Sequence, residues 1–147
     1  MIYIGIDPGT HTGLAAWDAK EQVFTEICTL QLHRALDKVR DIFNANDGNV
    51  TVVFEDARRR KWLPREKSWK EAKGRAMGAG SVKRDSAIWE EFLEDSGIGY
   101  THPAPGAGRT KWDADTFARV TGWKGRISNH ARDAALLVWG MGQKMSF

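Results

Sequence analysis

Hydrophobic positions along this chain switch between two periods, and the switches mark its elements. The opening "MIYIGID" is short and rich in β-branched and aromatic residues, which predicts a strand. "PGTHTG" follows with turn chemistry, and "LAAWDAKEQVFTEICTL" predicts two more strands around the turn "DAKEQ". Together they predict an antiparallel meander. Over residues 33–46, Leu36, Val39, Ile42 and Phe43 recur at helical spacing, and the polar run Asn46 to Asn49 closes that helix. "VTVVFED" is a continuous apolar run of the kind buried on both faces of a sheet. Coming after a helical crossover, it predicts parallel pairing with an earlier strand.

Residues 66–96 predict a long helix interrupted by Gly74, Gly78 and Gly80, with Ile88, Trp89, Phe92 and Leu93 on its apolar face. "GIGYTHPAP" predicts a last short strand running into a Pro/Gly loop, and residues 110–121 and 129–144 predict two more helices. The order is β-β-β-α-β-α-β-α-α, a mixed sheet covered by helices and therefore an α/β layer architecture. No repeat, low-complexity tract or linker divides the 147 residues, so they predict a single domain over 1–147.

Composition adds little until charge is placed along the chain. The 41% hydrophobic and 28% charged content is that of an ordinary globular protein. No run approaches the roughly 20 apolar residues of a membrane span, and the start lacks the pattern of a secretory signal. The single cysteine, Cys28, has no internal partner and sits in the strand-like run Val23–Thr29, where it reads as a small buried apolar residue. These features predict a reducing, cytoplasmic setting. The net charge of +3 conceals a strong asymmetry. Residues 58–84 hold eleven Lys or Arg and two Glu, a local +9, which leaves −6 for the rest. Such a block is either a solvated basic face or a surface for a polyanion such as nucleic acid.

The acids fall in telling places. Asp7 ends the first strand and Glu55 ends the strand after the first crossover. Parallel neighbours lie about 4.8 Å apart, so both carboxylates would project from the same end of the sheet, where ligands of open α/β sheets gather. His130 and Asp133 share one face of the last helix, whose Ala135, Leu136, Val138 and Trp139 are expected to pack onto the sheet or neighbouring helices. Crowded carboxylates repel, and hard divalent cations resolve the conflict. Mg²⁺ suits carboxylate oxygens, and an imidazole is more comfortable with Mn²⁺. Each residue also has a purely structural use: Asp7 in a turn, Asp133 near a helix N-terminus, His130 on a helix surface.

"IGIDPG", "VVFED" and "HARDAALL", in that order, resemble the RuvC-type Holliday junction resolvases of the RNase H-like (retroviral integrase) superfamily. "GRAMGAG", "GIGYTHPAP" and "TKWDADTFARVTGW" agree, so the resemblance runs along nearly the whole chain. It implies a five-stranded mixed sheet in the order 3-2-1-4-5. It also implies a homodimeric, metal-dependent endonuclease that cuts opposed strands of a four-way DNA junction, with two Mg²⁺ or Mn²⁺ ions per site. Asp7, Glu55, His130 and Asp133 match its acidic set. Many relatives carry Asp where this chain has His130, which is then either a metal ligand or a proton-transfer group. Lys111 resembles, more loosely, a lysine that stabilises charge on the phosphate. The implied chemistry is hydrolysis by metal-activated water, leaving 5′-phosphate and 3′-hydroxyl ends.

The segment after Glu55 departs from the family in being so basic. Arg58, Arg59, Arg60, Lys61, Arg65, Lys67, Lys70, Lys73 and Arg75 are candidate phosphate contacts. Trp62 and Trp69 interleave with them, either to stack on an unpaired base or to pack in the core or a dimer interface. This divergence favours broader branched-DNA selectivity, as in some viral relatives. Three rivals share parts of the pattern. "GIDPGT" also resembles the phosphate loop of the actin and sugar-kinase ATPases, but those enclose a nucleotide between two lobes, and this chain has room for one. A non-catalytic nucleic-acid binder would have no use for four metal-competent residues. An RNA-directed nuclease would carry the same site.

Overall fold

A computed structural model describes residues 1–60, 69–106 and 111–143, with the side chains of 69–77 and 79 outside the described set. The chain forms β1 (Ile2–Asp7), β2 (His11–Asp18), β3 (Val23–Gln31), α1 (Leu32–Ala45), β4 (Val50–Phe54), α2 (Trp69–Asp95), β5 (Gly99–Thr101), α3 (Ala114–Thr121) and α4 (Asn129–Val138). One turn of 3₁₀ helix, Ala57–Arg59, follows β4. The five strands make one mixed sheet in the order β3-β2-β1-β4-β5, as expected. β1 pairs antiparallel with β2 and parallel with β4, and β5 runs parallel to β4.

Side-chain alternation divides the core between two faces of this sheet. Ile4 and Ile6 of β1, Leu14 of β2 and Val50, Val52 and Phe54 of β4 meet Ala35 and Val39 of α1 and Trp89 and Leu93 of α2. Opposite them, Ala15, Trp17 and Val53 meet α4 through Ala131, Ala134, Ala135, Leu137 and Val138, with Phe117 of α3 alongside. Two glycines set how close α4 comes. A Cβ on Gly5 would stand 2.0 Å from the Ala134 carbonyl oxygen, and one on Gly13 would stand 2.0 Å from that of His130. Only a strand face without side chains at these points lets the helix backbone approach so far.

Three boundaries and the burial of two residues differ from those read in the sequence. "THTG" is not all turn: β2 begins at His11, and Gly13 pairs with Asp7. The helix expected from 110 starts at Ala114, because the Asp113 carboxylate accepts from the Thr116 N–H at 2.7 Å and caps it. The helix expected to reach 144 ends at Val138, just ahead of Gly140 in a left-handed conformation (φ 77°). Trp139, expected to pack with Val138, is therefore turned out and remains 41% exposed. Cys28 is half-buried at the edge of the core rather than within it.

Candidate metal centre

The two adjacent acids of "VVFED" part company at the end of β4. The Glu55 N–H still donates to the Ile6 carbonyl, at 3.2 Å, so the extended ladder continues past Phe54. Alternation then sends Glu55 to the face shared with Val53 and α4, and Asp56 to the face of Phe54 and α2. In β1 the same rule puts Asp7 on the side of Gly5, against α4. Asp7 and Glu55 thus leave neighbouring parallel strands at the same end and on the same face.

α4 brings the other half of the site. Ser128 caps it, its hydroxyl accepting from the Ala131 N–H at 3.0 Å while also pairing with the Thr29 hydroxyl of β3. That tie fixes the first helical turn over β2, with the His130 carbonyl seated on Gly13. His130 Nδ1 then lies 3.0 Å from Asp7 Oδ2. An ionised carboxylate only accepts, so Nδ1–H donates and the Nε2 lone pair is left for a proton or a metal. Burial pushes the Asp7 carboxyl above its ordinary value; the His130 hydrogen bond opposes this, and the charges of Glu55 and Asp133 add to the rise. Asp7 thus feels His130, Glu55 and Asp133, but no three of these four residues bring their ligand atoms within 4.8 Å of one another. Asp133 and Glu55 also line an open cleft of about 170 Å³ with Arg60, Pro105, Gly106, Lys111 and Leu136. Lys111 reaches it from the loop before α3, not from a helix.

By donor type the four side chains, three carboxylates and one imidazole, suit a hard divalent cation. They form a looser set than a second group on the opposite face. Asp56, Glu90 and His102 each offer one donor atom within 4.8 Å of the others, a group able to hold a metal ion. Its positive charge is supplied by Arg58. The guanidinium donates to both Asp56 oxygens at 2.9 and 2.8 Å and to Glu90 at 3.0 Å, while His102 Nδ1 approaches Asp56 at 2.9 Å. Burial alone would raise the Asp56 carboxyl, but the bonds from Arg58 and His102 outweigh it and hold it at about 2. The reading of the sequence missed this cluster, although counting alternate faces across "FED" separates Asp56 from Glu55.

The basic segment resolves into distinct roles where it is described. Arg58 is tied to Asp56 and Glu90, which commits it to the fold rather than to a phosphate. Arg59 donates to the His102 carbonyl at 2.8 Å. Arg60 lines the cleft. Lys61, Trp62, Arg65 and Lys67 lie outside the described residues, as do the side chains of Trp69, Lys70, Lys73 and Arg75 on α2.

No protein-family model matches this chain, and no curated protein sequence matches it. Among the described residues, no helix is long and apolar enough to cross a membrane.

Proposed function

We propose that the protein is a metal-dependent endonuclease of the RNase H-like type, acting on branched DNA and above all on four-way junctions. The observation that carries this reading is the convergence of Asp7, Glu55, His130 and Asp133 beside a cleft that also contains Lys111 and Arg60. Carboxylates alone would repel a phosphodiester. Here two cations line the same cleft as Glu55 and Asp133, so a phosphate can enter between opposite charges.

Asp7, Glu55, Asp133 and His130 Nε2 would hold Mg²⁺ or Mn²⁺. Bound there, such ions polarise water for attack and offset charge on the leaving oxygen. The chain's own residues do the rest. Lys111 and Arg60 orient the phosphate and stabilise its added negative charge. Asp7 fixes the His130 ring through Nδ1, which leaves Nε2 as the basic nitrogen. Pairing of two copies would present two such clefts to opposed strands of one junction, as the resemblance implies. The test is cleavage of synthetic four-way, flap and linear DNAs with and without Mg²⁺ or Mn²⁺. Metal-dependent cutting of the branched substrates is expected. Equal rates on linear duplex, or no metal dependence, would remove this reading.

A further inference from the structure

The cluster on the opposite face of the sheet already holds a cation, and that cation is a side chain. Asp56 at the end of β4, Glu90 on α2 and His102 just past β5 each bring one donor atom within 4.8 Å of the others. Arg58 Nη2 lies between the two acids, 2.8 Å from Asp56 Oδ2 and 3.0 Å from Glu90 Oε2. His102 Nδ1 lies 2.9 Å from the same Asp56 oxygen and 3.7 Å from the same Glu90 oxygen. Two carboxylate oxygens, an imidazole nitrogen and one positive charge therefore share a single point.

The donors are held in place without help from the guanidinium. Asp56 Oδ1 accepts from the Arg58 main-chain N–H at 3.0 Å, which leaves Oδ2 to face the shared point. Asp56 is itself buried, and its own N–H donates to the Pro103 carbonyl at 2.9 Å. The His102 ring stacks on Phe54, with centroids 5.7 Å apart and planes at 26°, and Arg59 donates to the His102 carbonyl at 2.8 Å. Outer partners of this kind orient the ligands of a metal ion. The guanidinium has a way out. The side chains of Arg58, Glu90 and His102 are 32%, 29% and 37% exposed, so an arginine can leave and an ion enter on the solvent side.

We propose that Asp56, Glu90 and His102 bind a divalent transition ion, Zn²⁺ above all, by exchange for the Arg58 guanidinium. Two carboxylates and one imidazole make a three-ligand zinc set with a fourth position for water. Zinc bonds of about 2.0–2.2 Å at tetrahedral angles set donor atoms about 3.3–3.6 Å apart. The separations of 2.9 and 3.7 Å from His102 Nδ1 need shifts of only about 0.5 Å to meet that. Nδ1 now donates to an ionised carboxylate and so carries a proton. On binding, that proton passes from Nδ1 to water and Nε2 takes one up. Mg²⁺ and Mn²⁺ bind a set containing nitrogen more weakly than Zn²⁺ and leave the arginine in place. Loading the site returns the Arg58 charge to solvent beside Arg59 and Arg60. The inference does not rest on the nuclease reading.

The test titrates Zn²⁺ alone into the full chain after chelator treatment. The chain has four histidines, so ¹⁵N-histidine NMR can follow each ring. In the wild type, saturating Zn²⁺ should move the His102 ring signals, and Mg²⁺ should not. Calorimetry then uses an Asp7→Asn background, which weakens the other group of donors. There Glu90→Gln should weaken Zn²⁺ binding by at least about tenfold. Arg58→Ala should strengthen it by at least about tenfold, because an arginine in place more than about nine-tenths of the time lowers the apparent affinity by that factor. Zn²⁺ should also raise the melting temperature of Arg58→Ala more than that of its parent. His102 signals that stay put at saturating Zn²⁺ overturn the site, and that measurement needs no variant to fold. Zn²⁺ binding by Arg58→Ala no tighter than by its parent overturns the exchange. Neither result bears on DNA cleavage, so the nuclease reading stands or falls separately.

Discussion

Strand alternation sends Glu55 and Asp56, adjacent in sequence, to opposite faces of the sheet, and their chemistry diverges accordingly. Asp7 is pushed up by burial and by the charges of Glu55 and Asp133. Asp56, 1% exposed, meets Arg58 and His102 instead and is held at about 2. Two predictions separate these roles. Replacing Asp7 by Asn should cut cleavage of a junction by at least about 100-fold while leaving junction affinity within about threefold, since affinity rests on Lys and Arg. The same substitution should abolish the stabilisation by Mn²⁺, which reaches about 2.7 kcal/mol at 100 times its Kd. Asp56→Asn should keep that stabilisation. If Asp56→Asn removes the Mn²⁺ effect and Asp7→Asn does not, the metal centre belongs to the Asp56 group. The second prediction concerns acid. The folded value of Asp56 lies below its ordinary 3.8, so folding favours its ionised form. Its contribution, about 2 kcal/mol, is therefore full above about pH 4 and is lost as pH falls through about 2. In denaturant unfolding, wild type should exceed Asp56→Asn at pH 5, and the gap should close towards pH 2. A constant gap would refute the assignment.

Elements carry the next layer, because the candidate site lies where α4 crosses the sheet over β1 and β2, with Glu55 at the end of β4. Gly13 supplies the clearance: its missing side chain is the space that the His130 carbonyl occupies. Gly13→Ala should force α4 off the sheet, costing about 1–3 kcal/mol and reducing cleavage far more than the stability loss explains, because His130 moves with its own backbone. Thermal melts and junction cleavage on the same preparation check this. Unchanged activity would show that the helix relaxes without moving the site. This contact marks the limit of what the sequence made legible. Strand ends and helix faces could be read because hydrophobic period determines them locally, whereas the sheet order came from the family resemblance. The positions of Asp7, Glu55, His130 and Asp133 at strand ends and on one helix face could be read because each ends or faces along an element. The contact of His130 with Asp7, by contrast, depends on the close approach of α4 to Gly5 and Gly13, and no local pattern encodes that. Trp139 was misplaced for a related reason. The apolar run continues through it, but Gly140 ends the helix and turns the ring outward.

At the scale of the whole molecule, charge and shape make separable claims. The basic block sums to +9 against −6 elsewhere, which predicts DNA affinity that falls steeply with salt whatever the DNA's form. Arg58 and Arg59 are held by Asp56, Glu90 and the His102 carbonyl, so the count overstates the cations that would meet DNA. Arg60 lines the cleft and should be one of them. A plot of log affinity against log salt for the wild type gives a slope, and Arg60→Ala should reduce it by about one phosphate contact. Arg58→Ala should leave that slope nearly unchanged and lower thermal stability instead, because it strips a buried carboxylate of its partner. The opposite pattern, a shallower slope with Arg58→Ala and no loss of stability, would mean that the ion pair opens to grip DNA. The brace on α2 would then be part of the binding surface.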